Sequence, residues 1–130
     1  MQIEIRKYEA LRDFGDLIQL IESESEEWSE YTTVQGRTLF KNVLENTIVF
    51  VAEASNELCG FVRAYNDFEF SIIVNDLLVH KSYRGNTRGR QLLEKLAEDY
   101  SNLPVYIMSD YDEYYEKLGY KREGSIYRMT

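Results

Sequence analysis

The sequence has one cysteine, one histidine and one proline among its 130 residues. Because Cys59 stands alone, the chain can form neither an internal disulfide nor a cysteine-based zinc cluster. Because His80 stands alone, a multi-histidine metal site is excluded as well, and we expect no bound metal. The start of the chain lacks the apolar core of a signal peptide, and no apolar run approaches the roughly 20 residues that span a bilayer. We therefore expect a cytoplasmic protein without a membrane partner.

Positive charge is also in short supply. Asp and Glu number 23 against 15 Lys and Arg, so the formal net charge is −8. Nucleic-acid backbones need a basic surface, so we expect no nucleic-acid partner. The acidity suits a cationic partner such as an amine or a lysine side chain, and acidity that only keeps the protein soluble is the alternative. With 44% hydrophobic residues in this length, we expect one globular domain over residues 1–130, as a monomer or homodimer.

Hydrophobic periodicity divides the chain into strands and helices. Apolar residues alternate or run continuously over the predicted strands 2–6, 47–54, 58–65, 68–80 and 105–108, and a last extended stretch, 120–129, is predicted as the final strand. They recur at helical spacing over the predicted helices 11–21, 36–45, 88–101 and 112–118, and the acidic run 22–30 is predicted as a solvated loop. Short connections make 47–80 an antiparallel meander. The order β-α-α-β-β-β-α-β-α-β predicts an α/β fold with a mixed, mostly antiparallel sheet and helices on both faces.

The segment 77–96, LLVHKSYRGNTRGRQLLEKL, carries the strongest functional signal. A strand leads through a basic, glycine-bearing loop into an amphipathic helix. That order puts free backbone N–H groups and the positive end of a helix dipole at the tip of a strand. Such a site binds a phosphate or a pyrophosphate.

Two blocks of the sequence resemble the GNAT N-acetyltransferase superfamily. The block YRGNTRGRQLLEKL, after a strand ending in LLV, is similar to the acetyl-CoA-binding motif of that family. The downstream block EYYEKLGYKREG is similar to its second signature, a helix with Tyr before Glu-Lys-Leu-Gly-aromatic. In element order the resemblance covers nearly the whole chain. It implies a GNAT-like fold and an acyltransferase that moves an acetyl group directly from acetyl-CoA to a primary amine of a small molecule or a peptide.

By this resemblance the loop holds the pyrophosphate of acetyl-CoA, through Arg84, Gly85, Asn86, Thr87, Arg88, Gly89 and Arg90. A backbone N–H near Leu78 and Val79 would polarise the thioester carbonyl. Thr87 departs from the family pattern, because it stands where the first glycine usually is. Either its hydroxyl caps the helix and donates to a phosphate, or its β-branched side chain disfavours a positive φ and lowers the affinity for the cofactor.

Transfer to an amine also needs a proton donor for the leaving thiolate and a base for the amine. The resemblance assigns the donor to Tyr115, with a packed aromatic as the alternative, and Tyr114 would face away on the helix. Asp76, on the strand before the loop, is the candidate base, and a hydrogen-bonded strand-end carboxylate is the alternative. Glu53 is a weaker candidate, and His80 suits a surface or capping role.

The acceptor site of such a fold implies Trp28 and Tyr31 as substrate-binding residues. The acidic residues 26–27 and, across the cleft, 112–113 would attract a cationic amine. The alternative is a solvated acidic loop without a substrate role.

A second function stays open beside acetyl transfer. The chain would then be a non-catalytic, regulatory acyl-CoA-binding module of the same fold. Thr87 favours this alternative, as do Ser109 and Asp110, which stand where many members of the family carry an asparagine that contacts the coenzyme.

Overall fold

The computed structural model describes residues 2–85 and 87–130. Within them, five strands form one sheet: β1 (Glu4–Lys7), β2 (Ile48–Ala54), β3 (Glu57–Asn66), β4 (Ile72–Val79) and β5 (Val105–Ile107). The strands lie side by side in chain order. The first three pairings are antiparallel and the pairing of β4 with β5 is parallel. The predicted meander and the mixed, mostly antiparallel sheet are therefore confirmed.

Four α-helices accompany the sheet in the described residues: α1 (Ala10–Glu22), α2 (Val34–Asn46), α3 (Arg88–Asp99) and α4 (Asp112–Lys117). Helix α2 begins where the Thr33 side chain accepts a hydrogen bond from the Gly36 backbone, which is an N-cap. Helix α4 ends at Gly119, whose φ of 89° only glycine adopts at no cost, as the sequence predicts. In residues 2–85 and 87–130 we find no helix that has both the length and the apolar composition needed to cross a membrane.

The core consists of two layers, one on each face of the sheet. Helix α3 covers one face, where Leu92, Leu93 and Leu96 pack against buried residues of β2, β3 and β4. Helices α1 and α2 cover the other face. Because both faces are covered, β2 is apolar along nearly its whole length rather than alternating. Cys59 is buried in the α3 layer, as expected for a core residue.

A buried ion pair attaches α1 to the first strands. Arg6 on β1 donates from both terminal nitrogens to Asp13 at 2.8 Å, and Asp13 is only 1% exposed. A charge in such a place is stable only when its partners are arranged around it. Glu53 accepts from Arg6 and Arg12, so this weaker candidate base belongs to the same structural cluster.

Two predicted strands differ from the structure. Strand β4 begins at Ile72 rather than Phe68, because Phe68 and Glu69 adopt positive φ values of 45° and 72° and turn the chain. The predicted last strand, 120–129, is wrong: segment 120–130 joins no sheet in the described structure, and all its residues are exposed. A strand forms only when it buries a face against a partner, and the stretch from Lys121 to Gly124 has no apolar face.

The acidic run is also more ordered than the predicted loop. Residues Glu26–Tyr31 form a 3₁₀ helix. Trp28 packs edge-on against Phe61 of β3, and Tyr31 stacks on Phe40 of α2 with ring centroids 4.1 Å apart. Gly36 permits this packing, since a Cβ atom there would lie 1.9 Å from the Glu30 carbonyl oxygen.

Candidate active site

Strands β4 and β5 separate partway along the length of β4. They pair from Ile72 to Val74, and the last bond in this direction runs from the Met108 N–H to the Val74 carbonyl at 2.9 Å. On its other side β4 carries a bulge: Arg63 of β3 faces Asp76 whereas Ala64 faces Val74, so Asn75 is an extra residue. A bulge bends the strand that carries it, which accounts for the separation. On the side of β5, the second half of β4 thus borders an opening, while on its other side it stays paired with β3.

A pocket of about 160 Å³ lies beside this opening. It brings together four residues that the sequence analysis selected from distant positions, namely Trp28, Tyr31, Asp76 and Tyr115. The other lining residues come from the acidic 3₁₀ helix, from β4 and from the end of β5: Glu27, Glu30, Val74, Asn75, Leu77, Met108 and Asp110. The predicted acidic residues Glu26 and 112–113 are exposed and do not line it.

Asp76 is the centre of a hydrogen-bonded group in the pocket. Arg63 Nε donates to Asp76 Oδ2 at 2.6 Å, and the Tyr31 hydroxyl donates to Oδ1 at 3.0 Å. Burial, followed by the nearby Asp76 charge, raises the pKa of Tyr31 to about 12, so this phenol keeps its proton. Both oxygens of Asp76 are therefore engaged in holding a guanidinium and a phenol. Sequence reasoning missed Arg63, because only the bulge register brings it opposite Asp76.

Tyr115 contributes a protonated phenol to the same pocket. The side chain is half-buried between α4 and the α3 layer. Burial raises the pKa of this phenol above its ordinary value, and the Asp110 charge raises it further. Tyr115 consequently keeps its proton at neutral pH.

Tyr114 does not line the pocket, which agrees with the expectation that it faces away from the site that Tyr115 enters. Its phenolic oxygen lies at the first turn of α3, 2.2 Å from where a Cβ atom on Gly89 would be. Its ring meets that of Tyr115 edge-on, with centroids 5.1 Å apart. Helix α4 therefore directs Tyr114 to the start of α3 and Tyr115 to the pocket.

The loop between β4 and α3 contains a capping histidine and a glycine with a positive φ. His80 Nδ1 accepts from the Ser82 N–H at 3.1 Å, which is the expected capping role. Gly85 has a φ of 82°, and nothing lies within 4 Å of a Cβ built there. Thr87 is the N-cap of α3 with a φ of 65°, and its side chain makes no capping hydrogen bond, so the alternative in which its hydroxyl caps the helix is wrong. Asn86 lies outside the described residues.

The three arginines of the loop and of the start of α3 differ in their hydrogen bonds and ion pairs. Arg84 donates to the Val79 carbonyl at 2.8 Å and also pairs with Glu24. Arg90 is exposed and lies 3.9 Å from Glu94. Arg88 contacts its own helix at Gln91, and its buried Nε has no hydrogen-bond partner among the described residues.

These features fit a bound pyrophosphate. The amino end of α3 supplies backbone donors and the helix dipole. The open side of Gly85 permits close approach to the backbone, and the buried Nε of Arg88 is a donor in need of an acceptor. Leu78 and Val79, at the end of β4, bury their side chains in opposite core layers and lead into this loop. In residues 2–85 and 87–130, no group of three or more His, Cys, Asp or Glu side chains is arranged to hold a metal ion.

Comparison with known sequences identifies the family of the chain. The family described as "Acetyltransferase (GNAT) domain" matches residues 45–122. A relative from Arabidopsis thaliana, "GCN5-related N-acetyltransferase 2, chloroplastic", is 29% identical over 76 residues, which cover 55% of this chain and 30% of the relative. The chain spans between 29% and 53% of the length of the curated relatives it matches.

Solved structures of the same fold cover the chain almost completely. An aminoglycoside acetyltransferase from an uncultured soil metagenomic sample superposes with a TM-score of 0.74 at 21% identity, over 100% of this chain and 99% of that one. The PaiA N-acetyltransferase from Thermoplasma acidophilum, in complex with coenzyme A, superposes with a TM-score of 0.75 at 19% identity, over 97% of this chain and 94% of that one. At these identities the likeness shows the fold alone.

Proposed function

Since the chain belongs to the GNAT acetyltransferase family, we propose that it transfers the acetyl group of acetyl-CoA to a primary amine of a small molecule or a peptide. The observation that carries this proposal is the pocket between the acidic 3₁₀ helix and the opened β4. It combines a protonated phenol, aromatic walls and several carboxylates beside the strand that leads into the proposed coenzyme loop.

The loop and the first turn of α3 are the proposed coenzyme site. Gly85 and Thr87 would offer backbone N–H groups to the pyrophosphate, and Arg88 would add a charged donor. A backbone N–H at Leu78 or Val79 would polarise the acyl carbonyl. Bound there, acetyl-CoA supplies an acetyl thioester whose carbonyl carbon forms a bond to the amine nitrogen as its bond to sulfur breaks.

Tyr115 is the proposed proton donor to the leaving sulfur. Its place in the pocket supports this assignment, and burial keeps the phenol protonated, so that a proton is present when the thiolate leaves. The phenol recovers its proton from water after transfer. No acyl-enzyme is required, and the buried Cys59 lies in the α3 layer rather than among the pocket-lining residues.

The amine arrives as a cation. It would be attracted by the carboxylates of the pocket, which belong to Glu27, Glu30 and Asp110. The amine must lose a proton before it can attack, and Asp76 can assist in two ways. It accepts the proton directly or through water, or it positions Tyr31 and Arg63 around the amine. The two hydrogen bonds that occupy its oxygens favour positioning.

Thiol release from acetyl-CoA in the presence of a panel of amines tests the proposal. We expect turnover with at least one primary amine. Tyr115→Phe should lower turnover by about 10² or more, the size of a general-acid contribution, without weakening coenzyme A binding. Tyr111→Phe, on an exposed tyrosine nearby, is the matched control and should leave turnover unchanged.

The alternative is a regulatory acyl-CoA-binding module. Two observations favour it: the left-handed backbone at Thr87 and the engagement of Arg84 with Glu24. Calorimetry with coenzyme A separates the cases. Binding without turnover on any amine supports the module, and absence of binding contradicts both functions.

A further inference from the structure

One ion pair joins the two sides of the proposed active site. Arg84, in the loop between β4 and α3, pairs with Glu24, which lies just beyond the carboxyl end of α1. Glu24 belongs to the acidic run that was predicted as a solvated loop, yet its side chain is only 12% exposed. The pair therefore connects the coenzyme loop to the segment that leads into the acidic 3₁₀ helix.

The guanidinium of Arg84 is fixed at two points. Its Nε donates to the Val79 carbonyl at 2.8 Å, at the end of β4, and a terminal nitrogen pairs with Glu24. An arginine side chain carries five N–H donors, so these two contacts do not exhaust it. Arg84 can therefore take a phosphate oxygen while it still holds Glu24.

Glu24 depends on Arg84 as its cation. It follows α1 at the negative end of the helix dipole, and the last turn of that helix, QLIE, contains no basic residue. Separation of a mostly buried carboxylate from its cation leaves an uncompensated charge, which is costly. A phosphate bound beside Arg84 should consequently leave the ion pair intact rather than displace Glu24.

The chain after Glu24 runs directly into the wall of the pocket. Ser25 is the N-cap of the acidic 3₁₀ helix, and its carbonyl accepts from the Trp28 N–H at 3.1 Å. Glu27 and Trp28 of this helix line the pocket. The position of Glu24 thus determines where the pocket-lining helix begins.

We propose that Glu24 is a positioning residue that transmits coenzyme binding, through Arg84, to the acidic 3₁₀ helix. This role rests on the proposed function, because the loop that contains Arg84 is the proposed coenzyme site. A pyrophosphate held by the backbone next to Arg84 fixes this residue, and the retained ion pair then fixes the start of the 3₁₀ helix. The wall of the amine pocket is therefore ordered when the coenzyme is bound, and the coupling acts equally in both directions.

Tryptophan fluorescence with coenzyme A as the probe tests this coupling. Trp28 is the single tryptophan of the chain, so its emission can be excited selectively. We expect coenzyme A to shift the emission of Trp28, with a midpoint equal to the dissociation constant from calorimetry. Glu24→Ala should bind coenzyme A within about threefold of the wild type but lose most of the shift, because the phosphate contacts remain and only the coupling is removed.

Glu22→Ala is the matched control. Glu22 also lies at the carboxyl end of α1, but its ion pair, with Arg37 at 2.7 Å, ties α1 to α2 rather than to the coenzyme loop. This variant should keep the full response of Trp28. Glu24→Gln retains an acceptor for Arg84 without the charge, so it should restore part of the shift. If Glu24→Ala fails to fold by circular dichroism, Glu24→Gln is compared with Glu22→Gln instead.

Three results would overturn the proposal. The first is an unchanged emission when the wild type binds coenzyme A, and the second is an equal shift in Glu24→Ala. The third is a change of about tenfold or more in the affinity of Glu24→Ala for coenzyme A, because Glu24 would then compete for Arg84 or support the loop itself. Absence of coenzyme A binding by the wild type would instead contradict the proposed function, so the two failures are distinguishable.

Discussion

The phenolic oxygen of Tyr114 lies where a side chain on Gly89 would have to be, 2.2 Å from an ideal Cβ position. The close contact joins α4 to the first turn of α3. The glycine therefore serves a packing function inside the protein in addition to any contact with a pyrophosphate. It links the helix that carries Tyr115 to the loop that the sequence identifies as a phosphate site.

A methyl group at Gly89 should consequently be tolerated only when the Tyr114 hydroxyl is absent. We expect Gly89→Ala to cost about 1 to 2 kcal/mol more in the wild-type background than in Tyr114→Phe, because overpacking forces a side chain or the backbone to move. Urea unfolding of the two single variants and the double variant measures this coupling. Equal effects in both backgrounds would mean that Tyr114 moves aside freely.

Thr87→Gly should stabilise the protein. Thr87 has a φ of 65°, and a left-handed backbone costs a residue with a Cβ atom about 1 to 2 kcal/mol. Removal of the side chain relieves this strain, partly offset by the greater freedom of glycine in the unfolded chain, so we expect a gain of up to about 1 kcal/mol. Thr87→Ala keeps the Cβ atom and is the control without a gain. If Thr87→Ala raised the temperature of thermal unfolding as much as Thr87→Gly does, the destabilisation would come from the hydroxyl and not from the backbone.

Acid should weaken the attachment of α1 through Asp13. Burial by itself would raise the pKa of Asp13, but the hydrogen bonds from Arg6 and from the Glu9 backbone outweigh it and hold the pKa below its usual value. The pair therefore contributes fully above about pH 4, and its contribution is lost as the pH falls through the pKa of the folded protein. Asp13→Asn should cost about 3 kcal/mol at neutral pH and flatten the acid side of the stability curve.

Asp16→Asn, on an exposed position of the same helix, is the matched control for Asp13. It should change neither the free energy of unfolding at neutral pH nor the slope below pH 4. Denaturant titrations at a series of pH values give both quantities. A steep acid slope that persists in Asp13→Asn would assign the acid sensitivity to other carboxylates.

Tyr115 should remain protonated throughout the neutral and mildly alkaline range. Since burial raises its pKa above the ordinary 10.0, the phenol stays protonated as the pH approaches 10 and ionises only beyond it. An ultraviolet difference titration of the wild type against Tyr115→Phe measures this ionisation. A tyrosine that titrates below pH 10 in the wild type and is missing from the variant would contradict the buried environment.

Asp76→Asn should distinguish a base from a positioning residue. If Asp76 positions Tyr31, the variant raises the KM for the amine and lowers kcat, while the acid limb of the pH profile keeps its midpoint. Loss of that limb would identify Asp76 as the base. Tyr31→Phe is the control: it removes the phenol but keeps the ion pair between Arg63 and Asp76, so it should reproduce the KM effect with little loss of stability.

Local signals made most of the fold predictable. The meander was readable because β2, β3 and β4 are apolar runs separated by short turns, and α4 because Gly119 marks its end. The register of the strands could not be predicted, because nothing in the sequence near Asn75 indicates the extra residue that brings Arg63 opposite Asp76. The pocket could be predicted as a set of residues, but not as the contacts among them.

Segment 120–130 shows that the local sequence is also not sufficient to predict a strand. Ile126 and Tyr127 are residue types that favour strands, whereas strand formation depends on an available edge. That edge is a property of the sheet and not of the segment. The neighbours of Tyr114 and Tyr115 could not be predicted for a similar reason. The elements on which a short helix packs decide what its side chains contact.

The single extra residue at Asn75 divides β4 into two parts with different tolerance for change. Before it, Ile72 and Val74 are locked between two strands and a helix, so substitutions there should be limited by folding. After it, the backbone borders an opening, so substitutions that fold well can still alter chemistry. A library randomised along β4 and sorted first for folding, then for activity, would therefore show a boundary at this residue.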